Sequence, residues 1–226
     1  MLQFERFTLS GRDTIKVAVD RLIIAGWAGR DEAALRHHVE ELAAIGVPRP
    51  SSMPVFYRAA AQTLTQEPIL SVLGGDSSGE VEPVLFSFAD GLWLGLGSDH
   101  TDRKAETMGI ALSKQLCGKP VAGALWRLAD VEAHWDAIEM RAFAVIDGQR
   151  VLYQEGTLAS LRTPRDLLSR RPDGPELAAG TAMFCGTLGA IGGIRPASRF
   201  EMELRDPKLG RSITAAYDIE ALPVVS

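Results

Sequence analysis

Two glutamates at the start of an apolar run constrain this chain more than any other feature. Glu80 and Glu82 are two residues apart, and residues 84–88 that follow are mainly β-branched, aromatic or aliphatic. Such a run predicts a β-strand. Because residues i and i+2 of a strand point to the same face, we expect both carboxylates to lie on one side of the strand.

A third carboxylate follows at the end of the next predicted strand. Asp90-Gly91 separates the first apolar run from a second one over 92–96, and this dipeptide indicates a hairpin. The hairpin would carry Asp99 back towards the two glutamates. Three carboxylates at one point suit Mg²⁺, Mn²⁺ or Ca²⁺, because these cations prefer oxygen ligands. In the alternative interpretation the glutamates are solvated, and Asp99 and Asp102 cap the helix that follows.

Composition places the chain among ordinary globular proteins. Its 226 residues are enough to bury a substantial core, and we expect a single domain over 1–226. The formal net charge is −5 without a basic run, so we expect no nucleic-acid partner. The apolar stretches are too short to span a bilayer, and the first residues do not resemble a signal peptide. We therefore expect no membrane partner and a cytoplasmic location.

The periodicity of the chain indicates a β-rich α+β fold with a few short helices. A helix is predicted over 32–44 with Asp31 as N-cap and Gly46 beyond its end, a second over 103–116, and a short one after Thr163. Strands are predicted, besides the carboxylate hairpin, over 2–9, 14–25 with a break at Asp20-Arg21, 55–58, 69–73, 120–127, 138–146, 150–154, 181–185, 198–206 and 211–219.

Five segments, in the expected order, resemble the fumarylacetoacetate hydrolase-like superfamily. Glu80-Val81-Glu82 matches its Glu-x-Glu metal motif, and Asp99-His100-Thr101-Asp102-Arg103 matches its Asp-x-Thr-x-Arg segment. Residues 113–123 resemble its lysine-containing element, and 184–190 resemble its Gly-Thr loop. Ala28-Gly29-Arg30-Asp31 is similar to its Gly-Arg-Asn-Tyr segment. The resemblance covers about 25–220 and implies a mixed β-sandwich or roll with a few short helices.

The resemblance implies a metal-dependent enzyme. Glu80, Glu82 and Asp99 would hold Mg²⁺, or Mn²⁺ or Ca²⁺, and His100 would support this ligand set. A small 2-oxo or β-dicarbonyl acid would chelate the cation, which would stabilise an enolate while a C–C bond is hydrolysed, as in an acylpyruvate. The resemblance also implies a homodimer.

Further site residues follow from the same resemblance. The residues with implied catalytic roles are Lys114, His37, His38 and Thr187, and those with implied substrate-binding roles are Arg103, Gly186, Arg30 and Arg58. Lys114 would stabilise a developing oxyanion, and His37 or His38 would act as the base of a lid. Most of these residues also have an ordinary interpretation. These are a solvated lysine, an ion pair of Arg103 with Glu106, a plain turn at 186–187, and two solvent-facing histidines.

The predicted lid departs from the family pattern, and this leaves the reaction open. Met53 stands before Pro54 where a glutamate is usual, and Arg58 replaces a common lysine. Hydration, decarboxylation or tautomerisation of a 2-oxo acid is therefore an alternative to hydrolysis. A non-catalytic, ligand-binding member of the superfamily is a further alternative.

Overall fold

The computed structural model describes residues 1–44 and 49–225, with the side chains of all of them except Ala34, His38 and 41–44. The strands, in chain order, are β1 (Leu2–Thr8), β2 (Gly11–Val17), β3 (Arg21–Gly26), β4 (Val55–Ala59), β5 (Leu64–Thr65), β6 (Ile69–Leu73), β7 (Ser77–Ser78), β8 (Val81–Phe88), β9 (Gly91–Ser98), β10 (Thr101–Asp102), β11 (Lys119–Pro120), β12 (Ala124–Arg127), β13 (Glu139–Ile146), β14 (Gln149–Thr157), β15 (Thr181–Phe184), β16 (Arg199–Asp206) and β17 (Arg211–Leu222). The α-helices are α1 (Glu32–Ala44), α2 (Arg103–Glu106), α3 (Ile110–Leu116), α4 (Leu128–Val131) and α5 (Pro164–Ser169), and the 3₁₀ helices are Ala61–Thr63, Glu132–Ala137 and Leu158–Ser160.

Two large sheets organise the part of the chain that the structure describes. One has eight strands in the order β2-β1-β12-β9-β8-β15-β3-β4, and the other has five in the order β14-β13-β16-β17-β6. The short strands form two-stranded ladders, β7 with β10 and β5 with β11. The prediction of a β-rich chain with a few short helices is therefore confirmed.

Strand β8 lies at the centre of the larger sheet and is buried on both faces. Leu85 faces an apolar cluster that reaches into the five-stranded sheet and includes Phe200. Val84 and Phe86 face the opposite side, where they pack in a second cluster with Phe4. Seven of the eight residues of β8 are buried, which explains why its sequence is apolar on both faces rather than alternating.

The side-chain caps that the sequence predicts are present at the starts of two helices. Asp31 accepts a hydrogen bond from the Ala33 N–H at 2.9 Å at the start of α1, while the predicted end of this helix at Gly46 lies outside the described residues. Thr163 accepts from the Asp166 N–H at 3.2 Å at the start of α5. The side-chain oxygens thus satisfy backbone donors that a first turn leaves unpaired.

The predicted helix over 103–116 is wrong as a single element. The structure contains α2 and α3, separated at Thr107–Gly109. Gly109 is a poor helix former, and its N–H donates back to the Ala105 carbonyl at 3.1 Å, which closes the first helix. Asp102 caps α2 by accepting from the Ala105 N–H at 2.8 Å. The capping role suggested for this aspartate is thereby confirmed.

Two further features concern the cysteines and the helices. Cys117 and Cys185 are both buried and unbridged. Among the described residues, no helix combines the length and the apolar character needed to cross a membrane.

Candidate metal centre

Three carboxylates meet at one end of the β8–β9 hairpin. Glu82 lies opposite Gly97 in the register, and the Asp99 N–H donates to the Glu80 carbonyl at 3.0 Å. Asp99 therefore faces Glu80 across the hairpin, while Glu82 is two residues further along the same face. One carboxylate oxygen from each residue lies within 4.8 Å of the other two. The predicted juxtaposition is present.

Three cationic side chains surround these carboxylates. Lys114 Nζ donates to Asp99 Oδ2 and lies 3.7 Å from Glu80 Oε2. Lys119 Nζ lies 2.9 Å from Asp99 Oδ1, and Arg103 Nη2 lies 2.9 Å from Glu80 Oε1. Burial alone would raise the pKa of Asp99, but Lys114 and Lys119 outweigh it and hold the pKa below its ordinary value.

Glu82 is in a different electrostatic position. Its pKa is raised well above the ordinary value, first by burial and then by the charges of Asp99 and Glu80. The Gly186 N–H donates to Glu82 Oε2 at 2.7 Å and opposes part of this effect. A bound cation would favour the ionised form of such a crowded carboxylate.

The residues fit a hard divalent cation. All three candidate ligands supply carboxylate oxygens, which Mg²⁺, Mn²⁺ and Ca²⁺ prefer over nitrogen or sulfur. The glutamates and Asp99 come from adjacent strand ends of the sheet, so rigid elements hold them in place. The Glu80 side chain is 18 % exposed, whereas that of Asp99 is fully buried.

A family model for proteins of unknown function, DUF2848, matches residues 25–217. The chain belongs to the DUF2848 family. This match covers most of the sequence, including the whole carboxylate cluster. A search of curated proteins finds no match.

Solved structures show that this DUF2848 member has a known fold. It aligns with a crystal structure of Cg1458 with a TM-score of 0.62 at 12 % identity, over 90 % of this chain and 76 % of that chain. It also aligns with 2-keto-3-deoxy-D-arabinonate dehydratase, complexed with magnesium and 2,5-dioxopentanoate, with a TM-score of 0.63 at 12 % identity, over 92 % of this chain and 75 % of that chain. Both have fumarylacetoacetate hydrolase-like folds. At this identity the likeness establishes the fold, and the DUF2848 match does not itself connect the family to that superfamily.

The basic residues predicted at the site of this DUF2848 member differ in their surroundings. Lys114 is buried rather than a solvated helix lysine; burial would lower its pKa, but Asp99 and Glu80 outweigh burial and raise it. Arg103 Nη1 also lies 2.9 Å from Glu106 Oε2, so the simple ion pair that the sequence suggests exists beside the contact with Glu80. Both cations are therefore held by the cluster itself.

Two other predicted substrate-binding arginines do not reach this cluster. Arg30 donates to both carboxylate oxygens of Asp136, at 2.6 and 2.7 Å, and to the Leu161 carbonyl. Arg58 is exposed on β4, where it lies opposite Ile23. Within the described residues, neither guanidinium forms an ion pair with the three carboxylates. The physical reason for Arg30 is its planar, two-pronged match to the nearby Asp136 carboxylate.

The predicted lid histidines lie on α1. The side chain of His37 is exposed, and that of His38 lies outside the described residues. The role of either as a base stays a prediction. His100, inside the metal motif, is buried; its Nδ1 lies 2.8 Å from the Tyr217 hydroxyl and its Nε2 2.9 Å from Ser77 Oγ. Burial lowers the pKa of His100 to about 3, so it is neutral at physiological pH.

The Gly186 N–H and the Thr187 hydroxyl both form hydrogen bonds within the protein. The Gly186 N–H binds Glu82, and Thr187 Oγ1 donates to the Val81 carbonyl at 2.8 Å. Thr187 Oγ1 also accepts from Gln154 Nε2 at 2.8 Å. Their predicted contact with a substrate carboxylate stays a prediction.

Sequence reasoning missed Lys119 and Gln154 as parts of the site. Lys119 carried one available signal, a second lysine five residues after Lys114 in the segment that follows the metal motif. Gln154 carried none, because its place beside the carboxylates depends on the packing of β14, in the other sheet, against β8.

Proposed function

We propose that this chain is a divalent-metal-dependent enzyme that acts on small 2-oxo acids. The observation that carries the proposal is the convergence of Glu80, Glu82 and Asp99 beside the buried Lys114. The fold shared with a dehydratase of a 2-keto acid, whose structure contains magnesium, supports it. A bound Mg²⁺ would polarise the keto oxygen and stabilise the negative charge that develops there during the reaction.

The chain's own residues have distinct parts in this proposal. Glu80, Glu82 and Asp99 would bind the cation. Lys114, held by Asp99 and Glu80, is placed to donate a hydrogen bond to a substrate oxygen on which negative charge develops. Arg103 holds Glu80 in position and retains N–H groups for a substrate carboxylate. Burial of the cluster strengthens each of these electrostatic interactions.

Two reactions are the candidates within this class. The family resemblance implies hydrolysis of a C–C bond in an acylpyruvate-like acid, with His37 or His38 activating water. The similarity to 2-keto-3-deoxy-D-arabinonate dehydratase favours loss of water from a 2-oxo acid that carries a hydroxyl group. Both develop negative charge at the 2-keto oxygen, as the C–C bond breaks in the first reaction and as the proton next to the keto group is lost in the second, so the same ligand cluster would serve either reaction.

The deciding experiment is product analysis with a short substrate panel. Metal-free protein is incubated with an acylpyruvate or with 2-keto-3-deoxyarabinonate, with Mg²⁺, with Mn²⁺ or with EDTA, and products are identified by mass spectrometry. Hydrolysis adds the mass of water and yields two acids, whereas dehydration removes that mass. Metal-dependent binding without turnover of any 2-oxo acid would indicate the ligand-binding alternative. Turnover that persists undiminished in EDTA would contradict the proposal.

Removing one ligand tests the metal cluster directly. Glu82→Gln keeps the shape of the side chain but removes its charge. We therefore expect Mn²⁺ affinity and metal-dependent turnover to fall at least about 100-fold. This loss is larger than the one usually seen when a residue that only hydrogen-bonds a metal ligand is removed. The matched control is Glu67→Gln, at an exposed glutamate, which we expect to change neither quantity. Isothermal titration with Mn²⁺ measures the first quantity and the substrate assay the second.

A further inference from the structure

The backbone of Val81, between the two glutamates, is not paired with the neighbouring strand β15. Strand β15 runs antiparallel to β8, with Phe184 opposite Val84. Strand β15 ends at Phe184, and the chain then turns at Gly186, whose φ is +100°. If the strand continued in register, residue 187 would pair with Val81.

Two side chains satisfy the backbone groups that this turn leaves unpaired. Gln154 Oε1 accepts from the Val81 N–H at 3.0 Å, and Thr187 Oγ1 donates to the Val81 carbonyl at 2.8 Å. Gln154 Nε2 in turn donates to Thr187 Oγ1 at 2.8 Å and to the Leu188 carbonyl. The amide and the hydroxyl thus replace the missing strand and bind each other.

The Val81 and Gln154 side of this arrangement is shielded from water, while Thr187 is half-buried. Val81 is fully buried and Gln154 is 1 % exposed. A buried backbone N–H or carbonyl without a hydrogen-bond partner lowers the stability of the fold. The two side chains therefore fix the position of the Val81 backbone. The same loop carries the Gly186 N–H that binds Glu82 Oε2. Leu188 packs closely against β14, since a Cβ on Gly156 would lie 3.2 Å from it.

We infer that Gln154 and Thr187 are positioning residues for the metal ligands. They hold the peptide from which Glu80 and Glu82 project, and through it they set the affinity for the cation. Thr187 thereby acts on the ligand set rather than on the substrate. This inference rests on the proposed metal-dependent function.

The test compares Mn²⁺ dissociation constants of isosteric variants by titration. Thr187→Val removes the hydroxyl but keeps the shape, and we expect Mn²⁺ to bind about 10- to 100-fold more weakly. Thr187→Ser keeps the hydroxyl. Its affinity for Mn²⁺ is expected to stay within about threefold of the wild type, well short of the loss that follows removal of a group supporting a metal ligand. Gln154→Met removes the amide and is expected to weaken binding as Thr187→Val does. The control is Thr181→Val, because Thr181 is a buried threonine at the start of β15 whose Oγ1 has no hydrogen-bond partner among the described residues.

The outcomes separate this inference from the proposed function. Melting curves without metal verify that each variant is folded; if Gln154→Met is not, Thr187→Val and Thr187→Ser decide alone. If Thr187→Val binds Mn²⁺ as the wild type does but loses Mn²⁺-dependent oxalate binding, Thr187 contacts the substrate and the inference is overturned. If the wild type binds no Mn²⁺, the proposed function fails first and the inference fails with it.

Discussion

At the residue scale, Gly186 has a backbone conformation that needs a glycine and that places its N–H against one of the candidate metal ligands. Its φ of +100° is a conformation that L side chains rarely adopt, and a Cβ there would lie 2.7 Å from the Cβ of Ala28. This conformation directs its N–H to Glu82 Oε2. The family resemblance implies a substrate-binding role for this glycine, which stays a prediction, and the contact that the structure describes for its N–H is with a protein carboxylate.

We expect Gly186→Ala to be destabilising and to weaken metal binding together. Strain at the positive φ and the clash with Ala28 should cost more than about 1 kcal/mol of unfolding free energy, and the moved N–H should lower Mn²⁺ affinity. Urea denaturation and Mn²⁺ titration measure these effects. Gly189→Ala is the control, because a Cβ at Gly189 has no atom within 4 Å. Equal stability of the two variants would contradict the prediction.

Asp206 is a second residue whose role is clear only in the folded chain. Its Oδ1 lies 3.0 Å from His134 Nε2 and accepts from the N–H groups of Lys208 and Leu209 at 3.1 Å. Burial would raise the pKa of Asp206, but these partners outweigh burial and lower it. The carboxylate therefore anchors the β16–β17 turn in its ionised form.

This lowered pKa predicts how stability changes with pH. The contribution is present above the unfolded-state pKa of about 3.9 and is lost as pH falls through the lower folded-state pKa. We expect Asp206→Asn to cost about 1.5–3 kcal/mol at pH 7, with the difference from wild type shrinking below about pH 4. Denaturation at a series of pH values measures this. Asp147→Asn, at the exposed β13–β14 turn, is the control and is expected to stay within about 0.5 kcal/mol of wild type at pH 7.

At the element scale, the break between α2 and α3 brings two cations to one carboxylate. In a continuous helix Arg103 and Lys114 would be about 16 Å apart along the axis. In the structure Arg103 Nη2 lies 2.9 Å from one Glu80 oxygen and Lys114 Nζ 3.7 Å from the other. The interruption at Thr107–Gly109 is therefore part of how the cluster is assembled.

The two-residue strand β11 supplies another cation, and its removal can be tested. Lys119 is fully buried, contacts Asp99 and donates to the His100 carbonyl. We expect Lys119→Met to lower the unfolding free energy in EDTA by about 3 kcal/mol, because Asp99 loses one of its two counter-charges. Urea denaturation measures this loss.

Two further variants distinguish this charge effect from a general loss of packing. Lys104→Met, at an exposed lysine, is expected to stay within about 0.5 kcal/mol of wild type. Adding Asp99→Asn to Lys119→Met should recover part of the lost stability, since the buried carboxylate that has lost one counter-charge is then neutral and Lys114 keeps Glu80 as a partner. A double variant less stable than Lys119→Met alone would argue against the charge explanation.

At the scale of the whole molecule, side chains of the five-stranded sheet form hydrogen bonds with residues of the eight-stranded sheet that are adjacent to the candidate metal ligands. Gln154 on β14 binds the backbone of Val81, and the Tyr217 hydroxyl on β17 donates to Ser98 Oγ at the end of β9. Both contacts are buried. Folding of the two sheets and assembly of the cluster are thus coupled.

This coupling predicts that ligands of the cluster stabilise the entire chain. A ligand that binds only the folded state, at about 100 times its Kd, adds about 2.7 kcal/mol, or roughly 5–10 °C in Tm for a chain of this length. We expect Mg²⁺ or Mn²⁺ to raise Tm and oxalate, a planar mimic of a pyruvate enolate, to enlarge the shift only with the metal. Glu82→Gln should abolish both effects. An oxalate shift that is equal in EDTA would point to a different binding site.

The sequence by itself determined the local parts of this protein. The strand pattern, the caps at Asp31 and Thr163, and the pairing of Glu80 with Asp99 across the hairpin all follow from short-range periodicity and turn chemistry. The order of motifs also predicted a β-rich, fumarylacetoacetate hydrolase-like fold, which is the fold of the solved structures that the chain resembles, while its description as a sandwich or roll stays a prediction. The homodimer and the cytoplasmic location that the sequence suggests stay predictions.

Only the tertiary structure decided which side chains complete the site. Lys119 on β11 contacts Asp99 and Gln154 on β14 binds the Val81 backbone between the glutamates, while Arg30 pairs with Asp136 instead. These outcomes depend on which elements pack together and on which charged or polar partner is nearest after packing. Contacts between residues such as Val81 and Gln154, 73 positions apart, leave no periodic trace in one sequence.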